Sequence, residues 1–263
     1  MFPNTNGDQP PATSSPPPDT SDQTPVARER PSPIERLVAL LEVLICSDYP
    51  TQFAIGSTFA ALGYRPFAPN GRLLVGYVVT LSLIDTALLV GLILMFLRAH
   101  GERPRDVFLG RRPVGREIVL GALMTFAALA IGIGVLLTIQ KLAPSLHTVA
   151  HNPFQELLGT RRGAAIFALV VVVAGGVREE IQRAFLLHRF DVWLGGGTVG
   201  IVITSAAFGA GHVLQGVDAT VATGLLGAFW GVVYLRRRSA VAPIVSHSGF
   251  NLLQIVQYLA VRG

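Results

Sequence analysis

Two adjacent carboxylates flanked by arginines occur in Gly175-Gly176-Val177-Arg178-Glu179-Glu180-Ile181-Gln182-Arg183, directly after the apolar run from Ala164 to Ala174. Charge in hydrocarbon is costly unless it faces a protein interior or a wet cavity. Low-dielectric surroundings make a carboxylate a better base, which suits it to activating a water. The stretch equally fits a helix end reaching the membrane surface, where such charges are ordinary. Further polar residues stand in apolar surroundings at His212, in Phe208-Gly-Ala-Gly-His212, and at His247 and Asn251, in His247-Ser-Gly-Phe-Asn251. His247 and Asn251 are four apart, about 40° round a helix, and share a face. Two donors so placed can converge on one oxygen.

The elements that must carry these residues are membrane helices. Of the 263 residues, 51% are hydrophobic and only 14% charged, against about 25% charged in soluble domains. The fold class expected is all-α, a polytopic membrane bundle of about seven transmembrane helices with the polar residues inside the membrane. Residues 1–33 are rich in Pro, Ser, Thr and Asp and lack the apolar content to offset ordering, so a disordered tail is expected. Residues 34–142 are expected to hold three membrane helices. Ile34 to Tyr64 is the first, bent or broken near Ser47-Asp48-Tyr49-Pro50. Leu73 to Leu97, charged only at Asp85, and Ile118 to Ile139 are the next two. Residues 143–263 are expected to form the chemical core. Gly163 to Val177 crosses only if its helix continues through Glu179 into Ala184-Phe185-Leu186-Leu187, which carries both glutamates into the membrane. Thr198 to Leu214, Thr220 to Leu235 and Val241 to Val261 complete the count. Gly196/Gly200 and Gly227/Gly231 have the spacing that lets helices pack closely.

Charge orients the bundle. Arginines concentrate in alternate loops: Arg98 to Arg116, then Arg183 and Arg189 near the fourth connection, then Arg236-Arg237-Arg238. The pattern gives a cytoplasmic N-terminus by the positive-inside rule. The net charge of +5 is thus one of topology, and the partners expected are a lipid bilayer and no nucleic acid. A single cysteine, Cys46, excludes an internal disulfide and any multi-cysteine metal cluster. Near-absence of lysine beside abundant arginine suggests a GC-rich bacterial genome, so a bacterial inner membrane is the expected location and a prenylated substrate is the less expected one. At about 1.5 Å per residue, Glu179 lies roughly 15 Å from Arg189, and His247 and Asn251 roughly 14 and 20 Å beyond Arg238. With a turn at Gly195-Gly196-Gly197, His212 reaches similar depth, so one intramembrane site is feasible.

The double glutamate with a nearby arginine, the Phe-x-x-x-His of Phe208 and His212, and the His-x-x-x-Asn of His247 and Asn251 together resemble the CPBP family. These are CAAX-prenyl-protease-like and bacteriocin-processing membrane enzymes. The resemblance spans Gly163 to Tyr258 and includes the flank Ala242-Pro243-Ile244-Val245-Ser246. It implies an intramembrane endopeptidase acting on a protein or peptide. In that reading Glu179 and His212 activate a water, His247 and Asn251 stabilise the oxyanion, and Glu180 and Arg183 hold the site in shape. It implies no cofactor, although two histidines and a glutamate leave zinc open. One departure stands out. The family's arginine falls five residues after the first glutamate, where this chain has Ala184, and Arg183 comes one residue early. A one-residue slip would put Arg178 in the catalytic place and make the chain an inactive, scaffold-like relative. A proton path or transporter is a further alternative, without the inverted repeat such folds carry.

Overall fold

The computed structural model describes residues 31–149 and 153–262, so the tail expected over residues 1–33 lies almost wholly outside the described residues. Among the described residues the architecture is helical, with an isolated bridge between Phe67 and Leu73 and no strand. Helix α1 (Pro33–Ile45) starts on a capping box. Ser32 Oγ accepts from the Glu35 N–H at 3.3 Å, and a Glu35 carboxylate oxygen accepts from the Ser32 N–H at 2.7 Å. The expected break follows, and α2 (Tyr49–Ala61) departs at 43°. Asp48 turns the chain there with a φ of +80°, which an L-residue rarely adopts.

Helices α3 (Val75–Ala99), α5 (Val114–Leu142) and α9 (Val217–Arg237) are long and apolar enough to cross a membrane, and the bent pair α1/α2 makes up to four. The short α4 (Pro104–Phe108) lies between α3 and α5. Helix α6 (Arg161–Val170) passes through a π-helical segment, Val171–Arg178, into α7 (Glu179–Trp193). Helix α8 (Gly197–Ala210) and helix α10 (Val241–Arg262) complete the set. The count of about seven spans included α6–α7, α8 and α10, and these do not meet the same test of length and apolarity. Their polar residues, or for α8 a length of 14 residues, are the reason.

Four apolar clusters hold the described residues together. Val43 and Cys46 at α1, Leu89, Ile93 and Leu97 of α3, and Phe185, Leu186 and Phe190 of α7 form one. Ala128 of α5 with Leu226 and Trp230 of α9 forms another, which Phe208 and Phe250 flank. Leu123, Phe126, Val202 and Val256 point outward and are exposed, as side chains facing lipid are. With backbone polar groups paired inside helices, this is an integral membrane helical bundle. The glycine pairs are partly packing positions. Gly200 lies against Phe190 and Gly227 against Phe208, whereas Gly196 has open space and a φ of +98° in the α7–α8 turn.

Arg183 and Arg189, counted among the loop arginines, are instead buried within α7. Arg189 meets Glu42 of α1 and Glu102, each at 2.5 Å. The sequence signal misleads here because an arginine paired by two carboxylates can be buried. His100 joins Glu42 at 2.7 Å and His188 joins Glu102 at 2.6 Å, extending the network. Glu102 lies in the loop after α3. Burial alone would raise its carboxyl, but the hydrogen bonds from His188 and Arg189 outweigh it and hold the group below the usual carboxylate range.

Candidate active site

The site is built where the α6–α7 helix changes pitch. In the π-helical segment the Glu179 N–H donates to the Ala174 carbonyl, five residues back instead of four. Such wide turns absorb an extra residue and re-aim the side chains that follow. The continuation through Glu179 into Ala184 to Leu187 is present, and it takes both glutamates into the bundle.

The re-aimed residues diverge. Glu180 is nearly sealed, its side chain 1% exposed, while that of Glu179 keeps 16% exposure, so Glu179 is the carboxylate a water can reach. Glu180 pairs with Arg183 one turn on and accepts or shares a hydrogen bond with His247 Nδ1 at 2.8 Å. The other ring nitrogen of His247, Nε2, faces a Glu179 oxygen at 3.8 Å. One imidazole therefore lies between both glutamates. Trp230 stacks on that imidazole, with centroids 3.9 Å apart and planes 18° from parallel, and donates its indole N–H to Ser246 at 3.1 Å. The ring is held on its face by Trp230 and on its edge by Glu180.

Asn251 sits one turn further along α10, half-buried. A Cβ placed on Gly175 would lie 2.9 Å from its amide nitrogen. At Gly176 a Cβ would stand 2.0 Å from the Ser248 hydroxyl. Gly175 and Gly176 thus let α10 approach the π-helical segment closely enough to bring His247 and Asn251 to it. His212 falls just past the end of α8, at the head of the turn Val213–Gln215, and not inside a span as the sequence implied. Gly209, near that end, lets α9 pack closely, since a Cβ there would lie 2.7 Å from the Thr220 carbonyl oxygen. The Nδ1 of His212 is 2.8 Å from the Phe208 carbonyl. The Phe208 ring meets His212 at 4.8 Å and His247 at 6.1 Å, both edge to face. Arg183 lies over the same ring at 4.4 Å.

The structure therefore gathers Glu179, Glu180, Arg183 and His247 in direct contact, with Asn251 and His212 bordering them. Among the described residues no ion pair joins Glu179 or Arg178 to His212. Arg178 turns the other way. Its guanidinium lies 2.5 Å from Asp48, 3.1 Å from Asp85 of α3 and 3.5 Å from Glu179. Sequence reasoning missed Asp48 and Asp85 as parts of the site, treating them as interruptions of apolar spans. Their signal was present, since a lone carboxylate inside a span demands a partner. Tyr49, beside Asp48, donates its hydroxyl to the Ala207 carbonyl at 2.7 Å and ties the α1/α2 break to the end of α8.

Zinc was left open by the residue types. Among the described residues no group of three or more His, Cys, Asp or Glu side chains is disposed to hold a metal ion. His247 is engaged by Glu180, and His212 points its Nδ1 at a carbonyl.

Residues 161–253 match the family model described as Type II CAAX prenyl endopeptidase Rce1-like. The match begins at α6 and ends just past Asn251, so it covers the π-helical segment, both glutamates and both histidines. No curated protein and no solved structure matches the chain. That match supports membership of the CPBP family of CAAX-protease-like membrane proteins for this segment of the chain.

Proposed function

We propose that the protein is an intramembrane endopeptidase of the glutamate type, hydrolysing a peptide bond in a protein or peptide substrate. The observation that carries this reading is the divergence at the π-helical segment: Glu179 faces His247 and keeps access to water, while Arg178 is turned onto Asp48 and Asp85. That arrangement favours the active register over the slipped one.

In the proposed mechanism a water sits between Glu179 and His212. With its Nδ1–H given to the Phe208 carbonyl, neutral His212 presents Nε2 as an acceptor that orients the water. Glu179 takes one proton as the water oxygen attacks the scissile carbonyl carbon. The carbonyl oxygen gains the electron pair and is met by donors from His247 Nε2 and the Asn251 amide. Because Nδ1–H of His247 is held by Glu180, donation from Nε2 requires the imidazolium form, which two neighbouring carboxylates balance. The tetrahedral intermediate collapses, the C–N bond breaks, and the proton on Glu179 passes to the leaving nitrogen. Donors aimed at developing charge in a dry site each lower the barrier by about 3–4 kcal/mol. Glu180 and Arg183 form the buried pair that orients His247.

The arginine-rich loops support a cytoplasmic N-terminus in a bacterial inner membrane. The test is cleavage of internally quenched peptides, prenylated and unprenylated at a Cys-a-a-X end, by the full chain in phospholipid vesicles. Glu179→Gln and His212→Ala should each remove the activity while the protein still accumulates folded in membranes, and unchanged cleavage by either would contradict the assignment.

A further inference from the structure

Three charges outside the residues of the family pattern, two of them buried, converge at the α1/α2 break. Asp48 holds Arg178 Nη1 with one carboxylate oxygen at 2.5 Å, and its other oxygen accepts from the Gln52 side-chain amide at 2.7 Å. Asp85 meets the same Nη1 at 3.1 Å from within α3. Asp85 and Arg178 are almost fully enclosed, with side chains 2% and 7% exposed. The Glu179 carboxylate is the next oxygen out, with one oxygen accepting a single long hydrogen bond from Nη2 at 3.5 Å.

From these distances we infer that Asp48 and Asp85 are positioning residues for the proposed reaction: they clamp the Arg178 guanidinium at the side of Glu179 and keep it from closing onto that carboxylate. The inference rests on the reading of Glu179 as the base. A guanidinium free to choose would form a tight two-point pair with its nearest carboxylate, as the planar fork of arginine favours. Such a pair would hold both Glu179 oxygens and leave none to take a proton from water. Two competing carboxylates, Asp48 at the α1/α2 break and Asp85 on α3, prevent it. The left-handed backbone at Asp48, φ +80°, is what aims its side chain inward at the break. Strained backbone of this kind persists where the surroundings over-determine it. The break in the first membrane helix is then a part of the site, set at the depth of the base. The other charges acting on Glu179 are Arg183, His247 and Asp48 itself.

The clamp makes an unusual demand on variants. Asp48→Asn with Asp85→Asn releases Arg178 onto Glu179 and should lower kcat by roughly 10- to 100-fold, the range a misplaced catalytic group produces, with KM unchanged. Adding Arg178→Gln to that pair removes the freed cation and should recover a large part of the lost kcat. A merely structural role for the three residues predicts the reverse, since a third substitution would compound the damage. The milder Asp85→Asn alone should show a smaller fall of the same kind should the pair fold poorly. The assay uses the full chain in phosphatidylglycerol-containing vesicles with a quenched prenylated peptide, and a triple variant no more active than the double overturns the clamp.

A second readout does not depend on activity. Dicyclohexylcarbodiimide adds to protonated carboxyl groups in membranes, and mass spectrometry locates the adduct. Arg178→Gln should increase labelling of Glu179, and the Asp48→Asn, Asp85→Asn pair should decrease it. Labelling unchanged in both variants contradicts the clamp. If the wild-type chain cleaves nothing while labelling follows this order, the proposed function fails and the clamp on Glu179 stands.

Discussion

Glu179 and Glu180 are neighbours in sequence and opposites in circumstance. Glu180 lies between Arg183 and His247 with almost no exposure, so it cannot meet a substrate. Its value is in fixing the imidazole. Removing Arg183 would leave that carboxylate buried without its cation, a loss of about 3–5 kcal/mol. Arg183→Ala should therefore abolish folded protein, measured as loss of the monodisperse peak in detergent, whereas Asn251→Ala should leave folding intact. Asn251→Ala should instead reduce kcat by about 10²–10³-fold with KM unchanged, as loss of one oxyanion donor does. A KM effect alone would remove Asn251 from the oxyanion site. Residue types and spacing singled out six candidate residues, of which the structure gathers Glu179, Glu180, Arg183 and His247 and sets Asn251 and His212 beside them. What the sequence could not reveal was which glutamate would be sealed and which exposed, because one residue of helical register decides it.

At the scale of elements, the π-helical segment and α10 are matched surfaces. Gly176 leaves room for the Ser248 hydroxyl, and a Cβ there would stand 2.0 Å from that oxygen. Gly176→Ala should lower thermal stability by about 1–3 kcal/mol, the usual result of overpacking, and Ser248→Gly in the same chain should relieve it. No rescue would mean that the two helices are not held by this contact. On the other side of α7, Arg189 clasps α1 and the loop after α3 through Glu42 and Glu102. Glu102 is held below the usual carboxylate range by His188 and Arg189 against the opposing effect of burial. A lowered folded-state value means its contribution is complete above the unfolded value of about 4.3 and is lost as pH falls through the folded value. Thermal stability of the detergent-solubilised protein should thus decline on acidification below that range, and Glu102→Gln should make this decline shallower. Equal acid sensitivity in the variant would place the acid-labile contact elsewhere. The break at Asp48 was legible from the charge and proline in an apolar run. The π-helical turn was not, since a run of Val, Ala and Gly is compatible with either pitch.

For the whole molecule, hydropathy identified a helical membrane bundle, and the exposed apolar faces of α5 and α8 agree with it. It was less able to count spans, because the segments that carry the polar site are the ones that violate the apolar rule. Arginine counting was also only partly sound: Arg183 and Arg189 belong to the interior and Arg237 reaches the buried Glu117 at 2.5 Å, while Arg98, Arg103 and Arg105 remain candidates for topology. The proposed cytoplasmic N-terminus should leave the first 30 residues open to protease added to inverted inner-membrane vesicles and protected in intact spheroplasts. The opposite pattern would reverse the bundle. The family match over residues 161–253 and the gathered residues lie in the same helices, and the earlier helices contribute the Asp48 and Asp85 that steady them. The central claim is that Glu179, and not Arg178, occupies the catalytic position. It is tested most directly by the initial rate of quenched-peptide cleavage by Glu179→Gln in vesicles, at matched amounts of folded protein. The rate should fall at least about 10³-fold, consistent with loss of a general base, and cleavage within a few-fold of the wild-type rate would contradict that assignment.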